Sequence, residues 1–219
     1  MSAAGECFGA FSTFRLCLRL PSAADTDALA RLMCPEVSAR LASWPAPMPA
    51  GWAEGRIAEA RAAAASRRAL PLVVERLSDG TVIGWVGATL TESDPEVATL
   101  TYWLGTAFQG HGYMREAAPA CLSLAFHYLS IRAVRAAVQP DNIGSRRILR
   151  ALGMRPIDAG RIWCSARGRE EDCDWWEVLH PALREPTLPA RAAMERFQGL
   201  AERAAARRPG ALPGAPYPG

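Results

Sequence analysis

The segment best suited to chemistry is Gln109-Gly110-His111-Gly112-Tyr113-Met114, which lies between a strand-like and a helix-like stretch. Glycines at such a junction let the backbone approach a ligand closely. The first amides of the following helix have no partner within that helix. Together with the positive end of the helix dipole they form an anion site that suits a diphosphate. An ordinary glycine turn leading into a helix would use the same residues, so the hexapeptide alone leaves both interpretations open.

A second element follows one helix and one strand downstream. Asn142-Ile143-Gly144-Ser145 stands at the next helix start, and that helix is stopped by Leu152-Gly153-Met154. With these segments and Tyr102-Trp103-Leu104-Gly105, the chain resembles the GNAT superfamily of acetyl-CoA-dependent N-acyltransferases. Within that superfamily it is most similar to the ribosomal-protein alanine N-acetyltransferase branch. The resemblance covers about residues 14–180.

The resemblance implies a role for each motif in binding acetyl-CoA, the acyl donor. The main chain of Tyr102, Trp103 and Leu104 is expected to bind the pantetheine arm. Asn142 is expected either to bind the pantetheine or to cap its own helix, and the sequence leaves these alternatives open. Ser145 is expected to face the thioester sulfur. Arg147 is expected to contact the 3′-phosphate of the donor. The pyrophosphate is expected to be bound mostly by main-chain N–H groups of the residues Gln109, Gly110, His111, Gly112, Tyr113, Met114 and Arg115.

The implied reaction is direct attack of a neutral amine on the acetyl thioester. Many members of the superfamily protonate the departing thiolate with a tyrosine seven residues after the asparagine, where this chain has Leu149. Ser145 is therefore the expected catalytic substitute. No general base is evident, since Thr99 and Thr101 stand where some relatives carry glutamate. A lysine amine titrates about 2.5 pH units above an α-amine, so a site without a base should prefer the α-amine of a protein or peptide N-terminus.

Two alternative functions remain open. The acceptor could be a small amine, or the protein could be a non-catalytic acetyl-CoA sensor. A deep enclosed acceptor pocket would favour the small amine, whereas an open groove would favour the peptide. The sequence does not indicate the oligomeric state.

The elements that must position these residues predict one mixed α/β domain. Short connections predict an antiparallel meander, and the segment from residue 97 to 139 predicts one parallel strand–helix–strand crossover. The family implies a mostly antiparallel sheet that splays between its fourth and fifth predicted strands, with helices on both faces. The predicted strands cover residues 15–20, 72–77, 81–91, 97–104, 133–139, 154–164 and 172–180, and the predicted helices cover 22–33, 52–68, 113–129 and 143–152.

Composition excludes several classes of function. The chain has 219 residues, a net charge of +3 and no lysine, which excludes a P-loop lysine and a Schiff-base lysine and gives no indication of a nucleic-acid partner. Six cysteines form no C-x-x-C pair and the three histidines are far apart, so reduced thiols and no metal site are expected. No apolar run approaches about 18 residues, so a cytoplasmic protein without membrane contact is expected.

The predicted domain boundaries follow the changes in composition. Residues 1–12 are predicted to be a flexible lead-in, and residues 13–182 to form the acetyltransferase-like domain. Residues 183–219 are predicted to be a C-terminal extension in which residues 191–208 could form a solvated helix. Its Pro/Gly-rich end is predicted to be disordered.

Overall fold

The computed structural model describes residues 10–180. The predictions for residues 1–9, for Cys7 and for the extension beyond residue 180 lie outside the described residues. In the described range one eight-stranded sheet has the order β1-β2-β3-β4-β5-β6-β8-β7. The strands are β1 (Ala10–Ser12), β2 (Leu16–Arg19), β3 (Ala69–Arg76), β4 (Thr81–Leu90), β5 (Val97–Leu104), β6 (Ala133–Val138), β7 (Arg155–Cys164) and β8 (Arg169–Leu179).

Five α-helices connect these strands. They are α1 (Thr26–Leu32), α2 (Pro35–Ser38), α3 (Trp52–Ala65), α4 (Tyr113–Tyr128) and α5 (Ile143–Ala151). Within residues 10–180 each predicted strand and helix is present, with small differences at the ends. The free thiols predicted from cysteine spacing are confirmed for Cys34, Cys121, Cys164 and Cys173. Within residues 10–180 no helix combines the length and apolarity needed to cross a bilayer.

One local prediction was wrong. Residues 10–12 were predicted to belong to a loose lead-in, but they form β1, which pairs antiparallel with β2. An unpaired β2 would leave its backbone groups exposed at the sheet edge, and Phe11 also packs against the core. Gly160 lies inside β7 opposite Cys173 and takes no part in a turn. The turn between β7 and β8 uses Gly168, whose φ of +63° suits glycine.

Apolar side chains alternate along the strands and bury the two faces of the sheet in separate cores. One core joins Leu16, Leu18 and Leu72 to α4 and to Leu149 of α5. The other joins Val73 and four tryptophans to α1, α2 and α3, where Trp44 packs against Trp52, Trp85 and Trp103. Helices on both faces are therefore confirmed.

The only parallel pair among the described strands is β5 and β6, and it is short. The two strands pair from Val97 opposite Ala133 to Thr99 opposite Arg135, and the remaining five residues of β5 do not pair with β6. All other strand pairs are antiparallel. The predicted splay is therefore confirmed. It leaves a V-shaped gap that opens toward the C-terminal ends of β5 and β6.

Candidate active site

The main chain of β5 has free hydrogen-bonding groups along the gap. Along an antiparallel pair, alternate residues direct both their N–H and C=O groups at the partner strand. The bonds from Thr91 N to Val97 O and from Gly105 N to Ile83 O show that the odd-numbered residues of β5 face β4. Tyr102 and Leu104 therefore direct their main-chain groups into the gap. This arrangement supports their predicted contact with a pantetheine arm.

Trp103 does not fit its predicted role. It lies opposite Trp85 on β4, so its main-chain groups belong to the β4–β5 ladder. Its indole is 5% exposed and packs in the core on the other face of the sheet, 4.9 Å from the ring of Trp44. The resemblance treated three successive residues alike, but a strand can offer only alternate residues to one edge.

The glycine loop (residues 105–112) joins β5 to α4 and presents free amides. Gly110 and Gly112 both have a φ of +79°, a conformation that favours glycine, and Gly112 is the N-cap residue of α4. No side chain caps this helix. Among residues 10–180, no acceptor receives a hydrogen bond from the amides of residues 110–115. Six amide N–H groups at the positive end of a 16-residue helix can bind a diphosphate.

Gln109, the first residue of the predicted set, has a different role. Its N–H donates to Thr106 O at 3.2 Å and its side-chain amide donates to Leu104 O at 2.9 Å. Both donors are therefore used to fold the loop back onto the end of β5. Gln109 therefore does not offer a free main-chain N–H for the predicted contact with the pyrophosphate, and that contact stays a prediction.

Sequence inspection missed the brace that fixes the glycine loop. Glu116 on α4 accepts hydrogen bonds from Thr13 Oγ1 at 2.5 Å, Arg15 N at 2.6 Å and Arg15 Nε at 2.8 Å. Arg15 also donates to His111 O at 3.0 Å, and its guanidinium lies 4.6 Å from the centre of the Tyr113 ring. Burial alone would raise the pKa of Glu116, but the bonds from Thr13 and Arg15 outweigh it and lower the pKa. The contacts join residues about 100 positions apart, so no local signal could have revealed them.

The other predicted residues of the loop and of the two helix starts lie at the surface or in the core. The Met114 side chain is buried, which leaves only its N–H for a ligand. His111 is exposed and stacks on Tyr113 with a centroid separation of 5.9 Å. Arg115 and Arg147 are exposed, and neither has an ion-pair partner in the described part of the chain.

Asn142 and Ser145 meet at the start of α5. Asn142 is the N-cap residue, and its Oδ1 accepts a hydrogen bond from Ser145 N at 3.1 Å. Of the two roles predicted for Asn142, capping is therefore present, and it occupies the side-chain oxygen. The cap holds Ser145 in the first turn, facing β5.

A pair of hydroxyl groups connects β5 to α5 at the edge of the gap. The Tyr102 and Ser145 hydroxyl oxygens lie 2.6 Å apart, which is a short hydrogen bond. Burial raises the pKa of Tyr102 to about 12, despite the opposing effect of the Ser145 hydrogen bond. Tyr102 therefore stays protonated at neutral pH. The structure brings Ser145 to the gap and adds the Tyr102 side chain, for which sequence reasoning had assigned only a main-chain role.

An open cleft of about 770 Å³ lies where β6 ends. One wall is the outer part of the β7–β8 hairpin, which extends past the last residue that pairs with β6. The hairpin tip docks onto the segment after α2, through Ala166 N to Ala42 O at 3.0 Å. The cleft is lined by Glu36, Ala39, Arg40, Gln139, Pro140, Asp141, Arg161, Arg167, Arg169, Glu170, Glu171 and Asp172.

Charged groups in the cleft are mostly paired with one another. Glu171 accepts from Arg167 at 2.6 and 2.7 Å, from Arg169 at 2.9 Å and from Gln139 at 3.1 Å. These bonds, that of Arg167 above all, hold the pKa of Glu171 far below its usual value. Such a carboxylate is too weakly basic to deprotonate an amine.

The acidic turn before β5 does not supply a base either. Asp94 and Glu96 pair with Arg132 at 2.5 and 3.1 Å. They lie at the N-terminal end of β5, where β5 and β6 are closed by pairing, and not at the open end of the gap. In the range 10–180 no cluster of three or more His, Cys, Asp or Glu side chains suits a metal ion.

Comparison with known proteins gives a family match. The family described as "Acetyltransferase (GNAT) domain" matches residues 15–155, which is more than half of the chain. A curated relative, the probable N-acetyltransferase YjcK of Bacillus subtilis, is 31% identical over 105 residues, which cover 48% of this chain and 58% of the relative. The chain thus spans a little over half the length of that relative.

Solved structures of similar fold include RimJ of Mycobacterium smegmatis in complex with CoA-disulfide. It has a TM-score of 0.67 and 20% identity, covering 85% of this chain and 90% of that one. The ribosomal-protein-S5-alanine acetyltransferase of Vibrio fischeri has a TM-score of 0.64 and 21% identity, covering 80% and 98%. At these identities the likeness establishes a shared fold.

Proposed function

The chain belongs to the GNAT acetyltransferase family, and from that premise we propose that it transfers the acetyl group of acetyl-CoA to the α-amine of a protein or peptide N-terminus. The observation that carries this proposal is the V-shaped gap between β5 and β6, with the free amides of residues 110–115 beside it. These amides would hold the diphosphate. The main-chain groups of Tyr102 and the N–H of Leu104 would hold the pantetheine, and the fit is supported by the absence of other partners for these groups within residues 10–180. The carbonyl oxygen of Leu104 already accepts from the Gln109 side chain.

The chemistry is an acyl transfer in which the amine nitrogen bonds to the thioester carbon and the carbon–sulfur bond breaks. The free N–H groups of β5 would stabilise the developing oxyanion. The sulfur leaves as a thiolate, and the amine proton passes to water. Ser145 is the proposed catalytic residue, because its hydroxyl lies at the gap and can donate a hydrogen bond to the departing sulfur. Tyr102 is the proposed positioning residue, because its own hydroxyl is within 2.6 Å of Ser145 Oγ.

Proton affinities decide what the two hydroxyls can do. A thiol titrates near ~8.5, whereas the pKa of Tyr102 is about 12. Full proton transfer from Tyr102 to the thiolate would be uphill by about 4.8 kcal/mol, at about 1.36 kcal/mol per pH unit. The pair therefore acts by hydrogen bonding to the thiolate rather than by protonating it. In this proposal Tyr102 donates to the Ser145 hydroxyl oxygen, which leaves the Ser145 proton for the hydrogen bond to the sulfur.

The cleft beside β6 supports a peptide as the acceptor. It is open to solvent along the β7–β8 hairpin and not an enclosed pocket, and a similar fold occurs in a ribosomal-protein-S5-alanine acetyltransferase. The carboxylates described above are unsuited to act as a base. Deprotonating a lysine at neutral pH costs about 3.4 kcal/mol more than deprotonating an α-amine, which corresponds to a factor of about 300.

A thiol-release assay with acetyl-CoA at pH 7 tests the proposal. The two acceptor peptides are matched except at the amine: one has a free N-terminus and no lysine, and the other has a blocked N-terminus and a single lysine. We expect the free N-terminus to react about 300-fold faster. Faster reaction of the lysine peptide would refute the proposed acceptor. Failure of every peptide and small amine to release thiol, despite binding of acetyl-CoA, would instead indicate a sensor.

A further inference from the structure

A phenylalanine ring stands in solvent beside the glycine loop. Phe14 is 91% exposed, the highest value among the exposed large apolar side chains of the described residues. It occupies the turn between β1 and β2, directly before Arg15, which bonds to the carbonyl of His111. Phe14 is therefore the sequence neighbour of the residue whose guanidinium contacts the loop.

The main chain on either side of Phe14 is fixed, so its exposure is not a consequence of a loose turn. Thr13 N donates to Leu16 O at 2.8 Å, and Leu16 N donates back to Thr13 Oγ1 at 3.2 Å. Both neighbours of Phe14 also bond to the Glu116 carboxylate on α4. The turn is thus attached to the same helix whose first amides are free. The ring of Phe14 is therefore held in solvent by a fixed main chain, beside the loop that presents the free amides.

The strand order gives the direction in which a ligand would reach this ring. The glycine loop leaves β5 at the edge of the gap, and α4 begins where Glu116 meets the start of β2. β2 lies three strands from β5, on the side away from the gap, which is a distance of about 14 Å at ~4.8 Å per strand. If one end of a ligand lies in the gap and its middle lies along the loop, its other end therefore lies near the β1–β2 turn.

We propose that Phe14 stacks on the adenine ring of the acyl donor and so forms the nucleotide end of the binding site. The inference rests on the proposed function, because that function places a thioester in the gap and a diphosphate on the loop. Every base has a π-face, and an aromatic side chain binds it without hydrogen-bond readout. Phe14 thus distinguishes the full cofactor from shorter pantetheine thioesters.

Calorimetric titration with two fragments of the donor tests this assignment. Adenosine 3′,5′-bisphosphate carries the adenine end, and S-acetyl-4′-phosphopantetheine carries the thioester end. We expect Phe14→Ala to weaken binding of the adenosine fragment roughly five- to 150-fold, the range that base–aromatic stacking gives on alanine substitution. Its affinity for the pantetheine fragment should stay within about twofold of the wild type. Phe14→Trp should preserve both affinities, and the control Ile157→Ala, at a residue that is 47% exposed on β7, should leave both unchanged.

Several results would overturn the assignment. One is that the wild type and Phe14→Ala bind the adenosine fragment equally well, and another is that the wild type does not bind this fragment at all. A third is that Arg147→Ala loses binding of the adenosine fragment while Phe14→Ala retains it. The last result would place the nucleotide at α5. A loss of affinity for both fragments would mark Phe14 as merely structural. Failure of the pantetheine fragment to bind or react would count against the proposed function, while the adenosine titration would still decide the role of Phe14.

Discussion

Removing the hydroxyl groups of Tyr102 and Ser145 one at a time tests how the thiolate is stabilised. Ser145→Ala removes the donor that faces the sulfur, whereas Tyr102→Phe leaves that donor in place and removes the group that orients it. The two oxygens are 2.6 Å apart, so each substitution breaks this hydrogen bond. Tyr102→Phe also removes the weaker contact of the Tyr102 hydroxyl with Ser145 O at 3.3 Å. We expect both variants to lower kcat and to leave the KM for acetyl-CoA nearly unchanged.

The expected losses follow from the kinds of hydrogen bond involved. A hydrogen bond to a charged sulfur is worth about 1.5–3 kcal/mol, so Ser145→Ala should lower kcat by a factor of about 13 to 160. The bond between two neutral hydroxyls is worth about 0.5–1.5 kcal/mol, so Tyr102→Phe should lower kcat by a factor of about 2 to 13. Because Tyr102 acts through Ser145, adding Tyr102→Phe to Ser145→Ala should cost little more.

The informative assay compares acetyl thioesters whose thiols have different pKa values. A better leaving group needs less stabilisation, so the deficit of both variants should shrink as the thiol pKa falls. Tyr128→Phe is the matched control, because the Tyr128 hydroxyl is buried and donates to Ala64 O at 2.6 Å. This control should lose stability, but its dependence on the leaving group should match that of the wild type.

Two outcomes would refute this account. One is a kcat deficit that does not change with the leaving group, which would indicate that thiolate departure is not the step affected. The other is full additivity of Tyr102→Phe and Ser145→Ala, which would show that the two hydroxyls act independently.

Three further predictions concern stability and accessibility. In Gly84→Ala the new Cβ would overlap the Trp103 carbonyl and Leu104, so urea denaturation should show a loss of about 3 kcal/mol. Glu116→Gln should cost about 1–2 kcal/mol at pH 7. Because the native pKa of Glu116 is lowered, its contribution to stability is complete above its normal pKa. The deficit of the variant should therefore shrink as denaturation is repeated at pH values falling below that normal pKa. A thiol reagent at pH 8 should label half-buried Cys34 in the native protein and Cys121 only in urea, because Cys121 is fully buried and burial raises its pKa to about 12.

Much of the fold could be predicted because it depends on local patterns. The helical spacing of Met114, Ala118, Cys121, Leu122 and Ala125 predicts the buried face of α4, and all five are buried. The segment from Asn142 to Gly153 predicts both ends of α5, where Asn142 caps the start and Gly153 has a φ of +75° after the last turn. Such features depend on residues within a few positions of each other, so they can be predicted from residue types and their spacing.

The missed features depend on register and on contacts distant in sequence. Period-two alternation shows on which face of the sheet a side chain lies. It does not show toward which neighbouring strand the main-chain N–H and C=O of Trp103 point. That edge depends on the bonds at the two ends of the β4–β5 pair. The brace from Glu116 to Arg15 requires α4 to cross the start of β2, which only the assembled sheet determines. Gln109 could equally bind a ligand or fold its loop, and only the position of Leu104 O decides between these roles.

The gap itself needs a physical cause, because two neighbouring strands with free N–H and C=O groups would gain hydrogen bonds by continuing to pair. The contacts around the end of β6 oppose that closure. Gln139, the residue after β6, donates to Ala39 O at 2.9 Å and to Glu171 at 3.1 Å, while Arg167 on the hairpin donates to Ser38 O and Leu41 O at 2.8 and 2.9 Å. These bonds hold the end of β6 to the hairpin and the α2 segment, away from β5. The cost of the separated strands is therefore offset by a network outside the ladder, and the groups left free along β5 can bind the acyl donor without first breaking any bond within the sheet.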